Sequence, residues 1–381
     1  MPNPMRAVAA GIRWRWRTSR VAAPVVADAP VRLAIGPANS AGQGYRWARA
    51  AERLPGVAAY AFAIQSPTDA FRFPADGRVP AEDFSRNYVW RDRHRRDVTS
   101  RFTHVLLESG RGLWPGDVRE QLAQLRGAGV EVGLLFHGSD IRTPSAHARL
   151  ESDSPFIDGW YPDTAKLEAR TAANHDLARE ADCAVFVSTP DLLDFLPDAT
   201  WLPVVIDPEA WRRAAHRPAL ERERPVVVHA PSRRGLKGSE AIGPALRALD
   251  AEGLITYREA TGVPSAQMPA LYGDADIVLD HFVMGGYGVA ACEAMASGRL
   301  VLAHVADRHR ETVRAVAGRD APILEARVGD IGDVIRRVVA DRMGHQTLAA
   351  RGPDFVSRLH DGSHAGRTLA GFLGTDPDGL S

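Results

Sequence analysis

From Val31 onward, apolar residues gather in short runs separated by stretches of helical composition. The runs Val31–Gly36, Val57–Ile64, His104–Leu107, Val130–Phe136 and Cys183–Val187 predict strands. Between them Tyr45–Leu54, Asp117–Arg126 and Ala165–Glu180 predict helices. The same alternation then starts again. Strands are expected over Val226–His229, Ile255–Glu259, Ile277–Asp280, Leu300–His304 and Pro322–Glu325. Helices are expected over Glu240–Leu249, Ala266–Tyr272, Val289–Ser297, Arg308–Val316 and Ile331–Asp341. Continuous apolar strands spaced by helices imply parallel sheets covered on both faces. The pattern therefore predicts an α/β protein of two doubly wound halves, with ligands near the carboxyl ends of the strands and a cleft between the halves.

The segment 207–224, rich in Pro, Arg and Glu, separates the two series and reads as a linker. This divides the chain into a leader (1–30), a first domain (31–206), the linker, a second domain (225–345) and a helical tail (346–381). A length of 381 residues suits two domains. Apolar residues at 45% and charged residues at 25% suit a protein with a full core.

Lys plus Arg and Asp plus Glu both number 47, so the formal net charge is zero. That balance argues against a nucleic-acid partner. Cys183 and Cys292 lie in apolar surroundings without metal-type spacing, so neither a disulfide framework nor a zinc site is expected. No apolar run approaches the ~18 residues of a membrane span, and a cytoplasmic location is expected. The leader carries Arg6, Arg13, Arg15, Arg17 and Arg20, with Trp14 and Trp16 among them. Residues 1–20 suit peripheral contact with an anionic membrane surface; a flexible leader is the plainer alternative.

Four segments carry candidate chemistry. Gly36 to Gly44 forms a glycine-containing loop between a strand and a helix, where amides can approach an anion or the chain can simply turn. His137-Gly138-Ser139-Asp140 ends a strand, so the imidazole and carboxylate should face the cleft. Arg233, Arg234 and Lys237 follow the first strand of the second half without an acid before Glu240, a grouping suited to a diphosphate. Gly285, Gly286, Tyr287 and Gly288 precede a helix start, and Glu293 lies about one turn into that otherwise apolar helix. Such a carboxylate suits a ligand's vicinal hydroxyls, or pairs with a nearby Arg or amide. Asp274-Ala-Asp276 has the D-x-D form of a metal site but reads as a turn before a strand. The mixed run Arg91–Asp97 reads as a solvated helix face.

Ala275–Asp280, Gly286–Gly288 and Glu293–Gly298 resemble, in order and spacing, the nucleotide-sugar signature of the retaining glycosyltransferases of family 4. Lys237-Gly238, His137-Gly138 and the loop Gly36–Gly44 extend the resemblance over nearly the whole chain from Val31. The resemblance implies a GT-B fold, two Rossmann-like domains facing a central cleft, and sugar transfer from a nucleotide-diphosphate donor to an unidentified acceptor, a small molecule or, if Trp14 and Trp16 anchor the leader to a membrane, a lipid-linked one. It implies no cofactor and no metal, because cations neutralise the leaving diphosphate. Lys237 and Arg233 would take that role, Glu293 would bind the donor's ribose, and His137 would contact the sugar. Gly36, Gly44, Gly286, Tyr287, Gly288 and Val289 would line the donor, while Asn39, Ser40 and Asp140 in the first domain would meet the acceptor. Two positions depart from the family pattern. Gly285 stands where its first signature glutamate is usual, and Ser232 stands where its arginine is usual, with Arg233 beside it. A catalytically degenerate GT-B protein that binds a nucleotide or partner is therefore the alternative expectation.

Overall fold

The computed structural model describes residues 21–66, 71 and 73–379. The Arg- and Trp-bearing residues 1–20, for which membrane contact is expected, lie outside the described residues. In the first half, strands β1 (Val31–Gly36), β2 (Val57–Gln65), β3 (Gly77–Pro80), β4 (His104–Glu108), β5 (Glu131–Phe136), β6 (Ala184–Val187) and β7 (Thr200–Trp201) form one sheet. Their order is β3-β2-β1-β4-β5-β6-β7, and every pairing is parallel. In the second half, β8 (Val226–His229), β9 (Thr256–Glu259), β10 (Ile277–Leu279), β11 (Leu300–Ala303) and β12 (Ile323–Glu325) pair in the order β12-β11-β10-β8-β9, again all parallel.

The central strands are apolar on both faces because helices cover both faces. Leu33 and Ile35 on β1 and Leu134 and Leu135 on β5 are fully buried, as are all four residues of β11. Strands β3 and β7 were not expected. They span four and two residues at the sheet's edges, too few to show a period. Among the described residues no helix is long and apolar enough to cross a membrane.

The segment between the halves is more than a tether. It contains the helix Pro208–Ala214, capped by Asp207, whose oxygen accepts the Glu209 and Ala210 N–H groups. Trp211 from this helix is buried against the Tyr272 ring, with centroids 5.7 Å apart. The tail forms three helices, Arg342–Ala350, Gly352–Leu359 and Ser363–Leu373. The last returns to the first half, where Phe372 packs edge-on against His104 at 5.4 Å and Phe186 at 6.0 Å.

The D-x-D pair is structural, as expected. Asp276 is fully buried and accepts the Leu220 and Val226 N–H groups at 2.9 and 2.8 Å, with Arg222 at 2.8 Å. Asp274 pairs with Arg222 and Arg258. These bonds fasten the segment between the halves to the start of β10. Removing one partner of a buried pair strands the other's charge and costs about 3–5 kcal/mol. Asp276→Ala should lower stability by that amount, read as an earlier urea midpoint.

Candidate functional site

Four loops meet at the carboxyl ends of β1, β5, β8 and β10. Between the halves lies a cavity of about 280 Å3, walled by Ala41, Phe71 and Phe73 from the first and by Lys237, His281, Gly288, Val289 and Glu293 from the second. A neighbouring hollow of about 390 Å3 shares Ala41, Phe71 and Phe73 and adds Asn39, Ser40, Gln65 and Arg78.

Glu293 projects from the helix Val289–Ala296 and keeps an opening onto the cavity, although protein packs round its carboxyl. Burial raises its pKa to about 8; Arg46 opposes the rise, the Asp280 charge adds to it, and Lys237 opposes it. At neutral pH the carboxyl is mostly protonated, so it can both donate and accept a hydrogen bond. Tyr272 in the same wall is fully buried, and its hydroxyl has no hydrogen-bond partner among the described residues. A ligand hydroxyl or carbonyl placed there would satisfy it.

Lys237 ends the short helix Arg234–Lys237 and pairs with Asp280, the residue after β10. Asp280 is 0% exposed and also accepts the Gly288 N–H at 3.0 Å. Burial opposes its ionisation, but His281 (in the acid range where its ring is charged), Lys237 and the Gly288 amide prevail and hold it well below the usual carboxylate range. His281 lines the cavity and donates from Nδ1 to the Gly286 carbonyl at 3.2 Å. Burial lowers its pKa to about 4, so the ring is neutral. The two arginines part company. Arg234 pairs with Glu240 and Glu259, while Arg233 crosses the cleft and donates to Ser139 Oγ at 2.8 Å.

In the first half, His137 follows β5 and its ring stacks on Trp47, centroids 5.8 Å apart. Its Nε2 lies 3.3 Å from Glu108 Oε1, and Glu108 Oε2 accepts the Asn39 N–H at 2.7 Å. Burial alone would lower the His137 pKa, but the Glu108 bond and charge, with Asp140 adding, carry it above the ordinary value. A Cβ on Gly44 would lie 3.2 Å from Glu108 Oε2 and 3.3 Å from Asn39 Oδ1, so that glycine makes room for this cluster. Asn39 is fully engaged: its Nδ2 donates to Pro74 O and its Oδ1 accepts the Tyr45 N–H. Its backbone is engaged as well, the N–H by Glu108 and the carbonyl by the Gly42 N–H, so Asn39 shapes the neighbouring hollow that Ser40 also lines.

The expected site residues therefore divide. Lys237, Gly288, Val289 and Glu293 come together on one cavity, and Arg233 reaches the His137 loop. Gly36 lies against the Phe62 carbonyl, which a Cβ would approach to 2.6 Å. Asp140 accepts the His137 N–H at 3.1 Å and serves that turn. Tyr287 turns its side chain away from the cleft, which leaves its backbone amide for the expected donor contact. It is 2% exposed, and its hydroxyl bonds to His360 at 3.2 Å in the core, where an aromatic ring is better placed than in water.

Gly285 has φ of +68°, and a Cβ there would meet Glu151 Oε1 at 2.4 Å. A glutamate could not occupy this position without moving Glu151. Glu151 comes from the first half and bonds His304 at 2.9 Å and Arg308 at 2.6 Å in the second. Gly286 packs likewise against Asp191, itself paired with Arg142. The glycine loop is thus clasped by first-half carboxylates.

Sequence reasoning missed Glu108, Glu151, Tyr272, Asp280 and His281. Two had a readable signal: Glu108 and Asp280 are carboxylates ending buried apolar strands, where a charge requires a partner.

Neither a protein-family model nor a curated protein sequence matches this chain. Solved structures do. A sucrose-phosphate synthase from Thermosynechococcus elongatus superposes with a TM-score of 0.56 and 14% identity, covering 90% of this chain and 98% of that one. An alpha-glucosyltransferase solved with UDP and a 13-mer DNA containing a HMU base gives 0.55 and 10%, over 90% and 99%. Anabaena HepE, solved with UDP and glucose, gives 0.53 and 12%, over 90% and 99%. These neighbours are glycosyltransferases of the GT-B fold, and this chain has that fold.

The Glu293 pKa sets a pH dependence. Below about pH 4.5 folded and unfolded chains are both protonated there. Between that pH and about 8 only the folded protein keeps the proton, so this group's contribution to stability falls as pH rises. Glu293→Gln should match the wild-type melting temperature near pH 4.5. Near pH 8.5 it should exceed it by roughly 2–4 °C, for a gain on the order of 1 kcal/mol. Differential scanning calorimetry at both pH values reads this.

Proposed function

We propose that this protein is a retaining glycosyltransferase that moves a sugar from a nucleotide-diphosphate donor to an acceptor held by its first half. The observation that carries the reading is the single cavity on which Lys237, the start of the Val289 helix and Glu293 converge, at the carboxyl ends of the second-half strands. A diphosphate there would meet a cation and the unbonded amides of a helix's first turn. The Glu293 carboxyl would engage ribose hydroxyls, and Tyr272 offers a second polar group in the same wall. The adjoining hollow beside Asn39 and Ser40 suits the acceptor.

As the bond from sugar to phosphate breaks, negative charge grows on the departing diphosphate. Lys237 and Arg233 stabilise that charge, so the reading needs no metal or cofactor. His137, its ring held by Glu108, would contact the transferred sugar. The departing phosphate oxygen takes the acceptor's hydroxyl proton on the same face, which retains the anomeric configuration. The GT-B fold and the UDP or UDP and glucose named for two of the neighbours support this reading.

One observation favours a second reading, a GT-B protein that binds a nucleotide without transfer. Gly285 carries no side chain, and the nearby Glu151 carboxylate is committed to His304 and Arg308. A thermal-shift panel of UDP, GDP, ADP, TDP and their sugar conjugates separates the cases. A ligand at 100 times its dissociation constant adds about 2.7 kcal/mol. One nucleotide should shift the wild type and not Glu293→Ala. With the matching sugar nucleotide, Lys237→Ala should lower kcat more than ~10-fold, as expected for a group acting on transition-state charge. Binding without turnover over a broad acceptor set supports the second reading, and no shift from any nucleotide rejects both.

A further inference from the structure

Asp280 is an acid beside the cations that the transfer reading assigns to an anionic ligand. An exposed carboxylate there would repel a diphosphate. This one is 0% exposed, and its two oxygens are turned to two different loops. Oδ1 takes the Lys237 ammonium from the loop after β8, and Oδ2 takes the Gly288 N–H at the start of the Val289 helix, 3.0 Å away. Its own backbone is fixed, since the Asp280 N–H donates to Leu302 O at 3.1 Å. Strand β10 pairs with β8 in the register Leu279 to His229, which brings Asp280 beneath the β8 loop.

The other ionisable neighbours do not compete. His229 bonds Leu279 O at 3.2 Å and Ser239 Oγ at 2.7 Å, and burial keeps it neutral with a pKa near 4. His281 Nε2 lies 3.9 Å from Asp280 Oδ1, and its ring is neutral as well. Lys237 is therefore the cation that answers Asp280.

We propose that Asp280 is the positioning residue of the diphosphate subsite: it anchors Lys237 and Gly288 on one carboxylate, so that ammonium and helix start address the same phosphates before a ligand arrives. This rests on the transfer reading above. A lysine has a flexible four-carbon stem and three N–H donors. Asp280 uses one donor to restrain the stem and leaves two for phosphate oxygens. It likewise occupies the Gly288 N–H and leaves the amides of the first helical turn to the ligand. Asp280 touches no substrate and acts only through these two groups.

The test is a double-mutant cycle on the full chain, with UDP, GDP, ADP and TDP titrated calorimetrically into wild type, Asp280→Asn, Lys237→Met and the double variant. Asp280→Asn should weaken the nucleotide bound by wild type about tenfold, the equivalent of 1.4 kcal/mol. In the Lys237→Met background the same change should shift affinity less than about twofold, because the anchored group is already gone. Wild-type affinity or tighter binding in Asp280→Asn overturns the proposal, since the carboxylate would then be competing with phosphate for Lys237. Losses that multiply in the double variant also overturn it. A ligand-free measurement guards against loss of fold. Lys237→Met strands a buried carboxylate, so adding Asp280→Asn should raise its melting temperature; no rise would refute the pair. Wild type that binds none of the four nucleotides would instead overturn the transfer reading itself.

Discussion

Each half of the molecule ends a central strand with a carboxylate that water does not reach, and the cleft is organised round those two charges. Glu108 closes β4 and joins the Asn39 amide to the His137 ring. Asp280 follows β10 and joins the Lys237 ammonium to the Gly288 amide. A charge in such a place is tolerated only with partners, and in both halves the partners come from loops at the strands' carboxyl ends. The physical requirement to satisfy one buried acid therefore also sets the shape of each loop. Glycine follows from the same requirement, since Gly44 leaves the space that Glu108 and Asn39 fill.

The two halves are joined by a third set of charges. Glu151 and Asp194 from the first half pair with His304, Arg308 and His309 of the second, while Asp191 packs against Gly286 in the glycine loop. His304 is held protonated: burial resists the charge, but Glu151 and Glu325 raise its pKa to about 9. Glu151 is correspondingly held ionised, its pKa lowered to about 2 against the effect of burial by His304 and Arg308. Gly285 belongs to this arrangement. With φ of +68° and Glu151 against its α-carbon, it is shaped by the contact between the halves. The absence of a side chain at this position thus has a packing reason.

Much of the architecture was legible along the chain. Apolar runs placed the longer strands to within a residue or two of their observed ends, because a strand covered on both faces must be apolar throughout. Strands β3 and β7 escaped notice because a two- or four-residue edge segment has no period to detect. Lys237, Gly288, Val289 and Glu293 were legible as a group through their places at strand ends and helix starts. The direction of the Tyr287 ring was not legible, because its neighbours in sequence line the cavity while the ring turns back to His360 in the tail.

The sequence by itself determined the alternation of strand and helix, the presence of two parallel sheets and the loops where anionic chemistry could gather. These follow from local propensity, from periodicity and from the free amides at helix starts. Only the tertiary structure decided how the charges on those loops are shared. It gave Arg234 to Glu240 and Glu259 but sent Arg233 across the cleft to Ser139. It brought Glu151 to Gly285 from 134 positions earlier in the chain. Which acid meets which base depends on distances between segments remote in sequence, and those distances set the charge of buried groups such as Glu151 and His304.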